Sequence, residues 1–267
     1  MILVFYAFAR EVGAFKRRVI RPTPLAHEGL RGFRAVVGGQ ELAVIGHGIG
    51  QSRAMETARR AFDLMPRAEL VIGTGVVGAL SNALKPGDLI LADRIFASVA
   101  EGEIAGQVAA FGDVHLGAIG RMLSAAGVNY STGAILTTHR VLTVAEKRCA
   151  MESNGAIAVD MESAAIAVEA AARGLPFIVL RAVLDEVDDE VAGAAAMADE
   201  QGQVKPLAAT AYLVRNPGIV LKIPRMIRNL SRATTAIADA LEAIAYEGKV
   251  PVARKSAGGQ AANKLRR

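Results

Sequence analysis

Along most of the chain, short apolar runs rich in Val, Ile and Leu alternate with longer Ala-rich stretches whose apolar positions recur with helical period. Runs that are apolar at nearly every position suit strands buried on both faces of a parallel sheet. The pattern predicts strands at 2–7, 41–45, 70–74, 89–93, 133–137, 157–159 and 177–184. It predicts helices at 52–65, 113–126, 145–154 and 161–173, with a pair beyond Ala194. Gly174, Leu175 and Pro176 close the fourth helix, since Gly just past a helix end with Pro soon after is a common stop. No segment repeats. Strands alternating with helices in this way point to an α/β fold, a single-domain three-layer α/β/α arrangement with a central mixed, mainly parallel sheet. That domain takes residues 1–248, and the Ala-, Gly-, Lys- and Arg-rich tail 249–267 is expected to be disordered.

Composition supports a large core and narrows the chemistry. The chain has 267 residues, 52% hydrophobic and 21% charged, which argues against general disorder. Its one cysteine, Cys149, excludes an intrachain disulfide and a multi-cysteine metal cluster. His27, His47, His115 and His139 lie far apart without metal-ligand spacing, so no metal is expected. The apolar start at 2–9 has no basic region before it and is too short for a signal-peptide core. No run approaches the roughly 18 apolar residues of a membrane span. A cytoplasmic location is the default expectation.

Charge changes the picture at the C-terminal end. From Lys205 onward there are 12 Lys and Arg against 3 Asp and Glu; the preceding residues hold 19 against 23. A mildly acidic body with a basic end points to an anionic surface as partner, lipid before nucleic acid. Within that end, Ile219, Ile223, Met226, Ile227 and Leu230 share one helical face, while Lys222, Arg225, Arg228 and Arg232 share the opposite one. Such a basic amphipathic segment at 216–232 suits an interfacial helix on a membrane, or a helix packed on its own domain or a second subunit. Pro224 should divide it into two short pieces, the second starting at Pro224.

Two glycine-rich segments follow predicted strands. Gly73-Thr-Gly-Val-Val-Gly78, with Asp93 about 20 residues on, matches a dinucleotide-binding fingerprint on paper. The fingerprint works only when a helix follows and offers its N-terminus to the pyrophosphate. Lys85-Pro-Gly-Asp88 leaves no room for that helix, so the segment reads as a Gly-rich turn that lets backbone approach a ligand. Gly46-His-Gly-Ile-Gly50 lies between a strand and the helix opening near Ser52. Alone, either could be a plain turn.

Three acids stand at ends of predicted elements: Glu11, Glu162 and Asp185. Each has an ordinary reading, as a surface acid, a helix-dipole match and the start of a solvated acidic run at 185–190. Read together, three segments resemble the nucleoside phosphorylase/nucleosidase superfamily, most closely its methylthioadenosine/S-adenosylhomocysteine nucleosidases. The segments are Ala7-Phe-Ala-Arg-Glu-Val12, Val159-Asp-Met-Glu-Ser-Ala-Ala-Ile-Ala167 and Arg181-Ala-Val-Leu-Asp185. The resemblance spans roughly residues 1–210 and implies a nucleoside phosphorylase-like fold that cleaves the N-glycosidic bond of an adenine nucleoside. It implies Asp185 as general acid to purine N7, Glu11 as the group polarising an attacking water, Glu162 on the ribose hydroxyls and Met161 against the sugar. It places Gly48, Gly75 and Val76 at the nucleoside through the two glycine segments, and Val141 and Leu142 beside the base.

Where the phosphorylases of that superfamily hold phosphate with an Arg and a Ser, this chain has Gly73 and Val76, so hydrolysis is expected over phosphorolysis. Phosphate remains conceivable as co-substrate through Arg10 or Arg53, and no other cofactor is implied. Val141 also replaces the aromatic residue that stacks on adenine in the nucleosidases. With its basic insert, the sequence is similar to the hopanoid-associated phosphorylases, which implies a lipid-linked substrate, adenosylhopane, and a homo-oligomer. The alternatives are a soluble methylthioadenosine/S-adenosylhomocysteine nucleosidase, a phosphate-dependent purine nucleoside phosphorylase, or a non-catalytic nucleoside-binding protein at a membrane.

Overall fold

A computed structural model describes residues 1–25, 29–100, 103–110, 113–190 and 221–247. Strand β1 (Ile2–Tyr6) lies between two parallel neighbours, β4 (Gln40–Gly46) and β5 (Leu70–Ala79). β10 (Phe177–Asp185) runs parallel on the other side of β5. Antiparallel pairs lie at the margins: β2 (Thr23–Pro24) and β3 (Arg31–Val37) beyond β4, and β7 (Glu103–Ala110) against β6 (Leu89–Ala100). β6 also pairs antiparallel with β10 and parallel with β8 (Ser131–Thr137), and β8 carries β9 (Ala158–Asp160). Because β9 returns to the end of β5, the five strands β5, β10, β6, β8 and β9 close on themselves. The expected mixed α/β sheet is therefore found, with ten strands and a closed half.

Alternation within each strand feeds two cores. Ile2, Val4, Leu42, Val44, Leu70, Ile72, Ile178 and Leu180 pack on one face with α1 (Gly13–Arg18), α3 (Asp113–Ala125) and α6 (Ile223–Glu247). Leu3, Phe5, Ala43, Ile45, Val71 and Val179 pack on the other with α2 (Gln51–Leu64) and α5 (Ser163–Ala172). A strand apolar on both faces must be covered on both, which is why the three layers follow from the pattern. α4 (Val144–Asn154) lies at the closed end, with Ala150 against the small cluster of Leu80, Leu136 and Val159.

Three expectations need correction. Gly73–Gly78 is not a turn; β5 runs through it, and the chain then turns directly into β6 with no helix between. That removes the support a dinucleotide fingerprint requires. The helix expected from Met161 begins at Ser163, because Glu162 sits at the non-helical N-cap with φ −139°. Pro224 does not open a short piece: it lies in the first turn of α6, where its missing N–H costs nothing, and the helix continues for 25 residues. Residues 191–220, which hold the rest of the expected helix pair and insert, lie outside the described residues, as does the tail 249–267. Among the described residues no helix is long and apolar enough to cross a membrane.

Candidate active site

Arg181 stands in the middle of β10, otherwise apolar up to Asp185, and is only 1% exposed. A buried guanidinium is tolerable only when acceptors surround it. Its Nη1 donates to Thr74 O at 2.7 Å, and its Nη2 donates to Ser163 Oγ at 3.0 Å. The same Nη2 lies 2.7 Å from Asp160 Oδ2 and 3.9 Å from Glu162 Oε2. Asp160 is held in turn by the Thr137 hydroxyl at 2.7 Å and by the Ser163 hydroxyl. Glu162 Oε1 accepts from the backbone N–H of Gly50 at 2.9 Å, so the first glycine segment reaches the start of α5.

Glu11 comes from the turn after β1 and is buried. Its Oε2 accepts from Ala7 N at 2.7 Å and Phe8 N at 3.1 Å, and its Oε1 accepts from Val76 N at 2.9 Å. Gly75 makes this possible. Its φ is +137°, and a Cβ there would lie 2.6 Å from Arg181 Nη1 and collide with Glu11 Oε1. Gly48 (φ +83°) donates to Ala7 O at 3.1 Å, bringing the other glycine segment to the same turn.

Glu11, Asp160 and Glu162 thus share one guanidinium in a dry setting. Burial pushes the Glu11 carboxyl up, opposed by Arg181 and the three backbone donors. Burial also pushes Glu162 up, again opposed by Arg181, with Asp160 adding to the rise. His47 lies beside them. Its Nδ1 donates to Gly48 O at 2.5 Å, which leaves Nε2 a buried acceptor without a protein partner. Thr74 Oγ1 and Arg181 Nε are likewise buried without a protein partner. Unmatched polar atoms this close to a charged cluster are positioned for a polar ligand or water.

Burial lowers the His47 pKa to about 4. The ring therefore stays neutral in the fold while an unfolded chain takes up its proton near pH 6.5. Stability from this group is present above pH 6.5 and is lost as pH falls toward 4. His47→Gln is expected to lose less stability than the wild type between pH 7 and pH 4, by roughly 3 kcal/mol at about 1.4 kcal/mol per pKa unit. Urea denaturation at both pH values measures this, and equal losses in the two proteins would contradict it.

Asp185 ends β10, four residues and roughly 13 Å of strand beyond Arg181. A bulge between Val183 and Asp185 shifts the register, so Asp185, not Leu184, faces Gly78. Bulges re-aim side chains in this way beside functional sites. The Asp185 oxygens fill the space beside Gly78, where a Cβ would stand 3.1 Å from Oδ2. Lys147 of α4, 1% exposed, donates from Nζ to Asp185 Oδ2 at 2.5 Å. Burial pushes the Asp185 carboxyl up, and Lys147 opposes this.

Of the residues singled out in the sequence, Glu11, Gly75, Val76, Glu162 and Gly48 come together around Arg181. Asp185 stands at the far end of the same strand pair, and Leu142 packs near it on the cluster containing Val159. Met161 is half-buried between Asp160 and Glu162, and Val141 is half-buried in the loop before α4. The sequence reading gave no site role to Arg181, Asp160, His47 or Lys147. For Arg181 a signal existed, since a charge inside an apolar run must be paired. Lys147 sits among Glu146 and Arg148 in a polar stretch and carries no such signal.

The three-layer fold has a closed half-sheet, with buried carboxylates held along its strands. The chain belongs to the phosphorylase superfamily, whose family model matches residues 2–214. It is 27% identical over 215 residues to a 5′-methylthioadenosine/S-adenosylhomocysteine nucleosidase of Haemophilus influenzae, covering 76% of this chain and 90% of that one. Two solved structures share the fold. A nucleosidase of the same description from Neisseria meningitidis, bound to methylthio-immucillin-A, has TM-score 0.65 and 19% identity, covering 90% of this chain and 98% of that one. A futalosine hydrolase mutant of Helicobacter pylori has TM-score 0.67 and 17% identity, with the same coverages.

Proposed function

We propose that this protein hydrolyses the N-glycosidic bond of an adenine nucleoside. One observation carries the reading: a raised carboxyl at Asp185 ends β10, and the Glu11–Arg181–Glu162 cluster sits at the middle of the same strand pair. The C1′–N9 electron pair leaves with the purine as Asp185 delivers its proton to N7. Water adds to C1′ and gives its proton to Glu11. Glu162 holds the ribose hydroxyls, and Met161, Val141, Leu142, Gly48, Gly75 and Val76 line the nucleoside. Charge developing on sugar and base is met by groups fixed in place, which is where such sites gain most.

Water is favoured as nucleophile because Gly73 and Val76 stand where the phosphorylases hold phosphate with an Arg and a Ser. A Cβ at Gly73 would stand 3.0 Å from the Phe177 ring, so an arginine there would have to displace it, and Val76 offers no hydroxyl. A lipid on the 5′ carbon, as in adenosylhopane, is supported by the start of α6. Leu221 is 85% and Ile227 63% exposed, beside exposed Lys222 and Arg228, a combination that suits an anionic membrane surface. Arg225 belongs to the protein instead, bound to Glu186 at 3.2 Å and Asp189 at 3.3 Å. The second reading, a soluble methylthioadenosine/S-adenosylhomocysteine nucleosidase, is favoured by the Haemophilus relative.

The test is to incubate the protein with 5′-methylthioadenosine and with a 5′-alkylated lipid adenosine in anionic or zwitterionic vesicles, with and without phosphate. Free adenine and free ribose product are expected in either condition, and faster turnover of the lipid substrate in anionic vesicles. Adenine released only with phosphate, together with a sugar 1-phosphate, would overturn hydrolysis. Turnover of the small nucleoside alone would favour the second reading.

A further inference from the structure

Lys147 projects from the first turn of α4, an element held at its start by a reciprocal cap. The Thr143 side chain accepts from Glu146 N, and the Glu146 side chain accepts from Thr143 N at 2.8 Å. All three ammonium protons are engaged: by Asp185 Oδ2 at 2.5 Å, Glu186 O at 3.0 Å and Asp189 O at 3.2 Å. A lysine buried to this degree with no donor to spare has no means of binding a substrate directly. Burying it is costly unless its charge is used where it stands. We propose that Lys147 is the positioning residue of Asp185: it pins Oδ2, presents Oδ1 to the base edge and supplies the charge against which Asp185 gives up its proton.

This rests on the reading of Asp185 as the acid. The proton leaves Asp185 Oδ1 for purine N7 as the C1′–N9 pair passes to the ring, and the carboxylate so formed faces an ammonium that keeps its three protons. Solvent reprotonates Asp185 after the purine departs. Among the described residues, the neighbouring carboxylates of Glu186, Asp188 and Asp189 are turned to other cations. Asp189 pushes Asp185 up, but its Oδ2 is held by Glu186 N at 3.0 Å and by Arg225 of α6. The Glu186 carboxylate is turned to Arg225 and, at 3.5 Å, to Lys85 from the turn before β6. Asp188 is paired with Arg148 of α4 at 2.7 Å.

The experiment is the pH dependence of kcat and kcat/KM on a small adenine nucleoside for the wild type, Lys147→Gln and Lys147→Arg. Activity that needs a protonated Asp185 falls as pH rises through its pKa, and Lys147 holds that pKa down. Lys147→Gln is therefore expected to move the alkaline limb up by about one to two pH units, the effect of an adjacent opposite charge. It should lower kcat about 10- to 100-fold, the scale of a charge-assisted hydrogen bond, with little change in KM. Lys147→Arg keeps the charge and should restore the limb to its wild-type position. A limb that stays put in Lys147→Gln overturns the proposal.

Two further measurements keep the proposal open to refutation. The ¹³C carboxyl shift of Asp185, identified by its loss in Asp185→Asn, reports the same upward move without turnover. A wild type that frees no purine sinks the functional reading, whereas an unmoved Asp185 titration in Lys147→Gln sinks the role of Lys147 alone. If Lys147→Gln fails to fold, the double variant Lys147→Gln/Asp185→Asn buries no charge at this position. It is expected to be no less active than Asp185→Asn, and a further tenfold loss would show that Lys147 does not act through Asp185.

Discussion

Asp185→Asn is expected to slow purine release by about 10³-fold, within the 10²- to 10⁴-fold range of a positioned general acid. An amide occupies the same volume beside Gly78 and cannot supply the proton that neutralises the leaving base. The bulge that aims this position lies in the backbone and survives the change. The variant is not neutral for stability, however. Lys147 loses its carboxylate and keeps only the carbonyls of Glu186 and Asp189 and the new amide oxygen. Removing one partner of a buried pair costs about 3–5 kcal/mol, and the amide oxygen should hold the loss near the lower figure. A domain with roughly 5–15 kcal/mol in hand remains folded at 25 °C. Quenched single-turnover release of the purine, alongside urea melts of both proteins, measures the two effects separately. A folded Asp185→Asn enzyme that retains a third of the wild-type rate would remove Asp185 from the acid role.

The layers were legible because burial on two faces leaves a plain mark. β1, β4, β5 and β10 are apolar nearly throughout, and the helices that cover them carry Ala at the contact positions. β3 was missed although Phe33, Ala35 and Val37 alternate with exposed or half-buried positions, because Gly32 and two arginines interrupt the apolar content. β7 was missed although five of its eight residues are apolar, because Gly106 and Gln107 split them into two short runs. The closure of β9 onto β5 rests on two residue pairs, Gly78 with Val159 and Ala79 with Ala158, which no period in the sequence announces.

The site was legible in part for a different reason. Glu11, Glu162 and Asp185 stood out as members of motifs, but their environment is made by residues distant in the chain. Asp160 faces the N–H of Ser163 at 3.3 Å, as a helix cap would, and also lies 2.7 Å from Arg181. Lys147 meets Asp185 across 38 residues. The pKa of a carboxyl depends on such neighbours and on burial, neither of which spacing along the chain reveals.

Arg181→Met is expected to cost about 3–5 kcal/mol of stability, since the guanidinium lies 2.7 Å from Asp160 and 3.9 Å from Glu162 and opposes the rise of Glu11. For a chain of this size that corresponds to a fall in Tm of about 10 °C. The loss should also depend on pH in a defined direction. In the wild type Arg181 opposes the rise that burial imposes on Glu11 and Glu162. Without it both carboxyls move further above their ordinary value of 4.5. A carboxyl that binds its proton more tightly in the fold stabilises at pH below its unfolded value, and that contribution is lost as pH rises through the folded one. Arg181→Met should thus be nearest to wild type at about pH 5 and fall behind it toward pH 8. Mild acid partly rescues the variant, because two protons stand in for the missing charge. Thermal melts of both proteins across that range test this, and parallel curves would show that Arg181 does not hold the carboxylates ionised. The same protons that rescue the fold would block Glu11 from accepting one from water, so the rescued protein is expected to remain inactive.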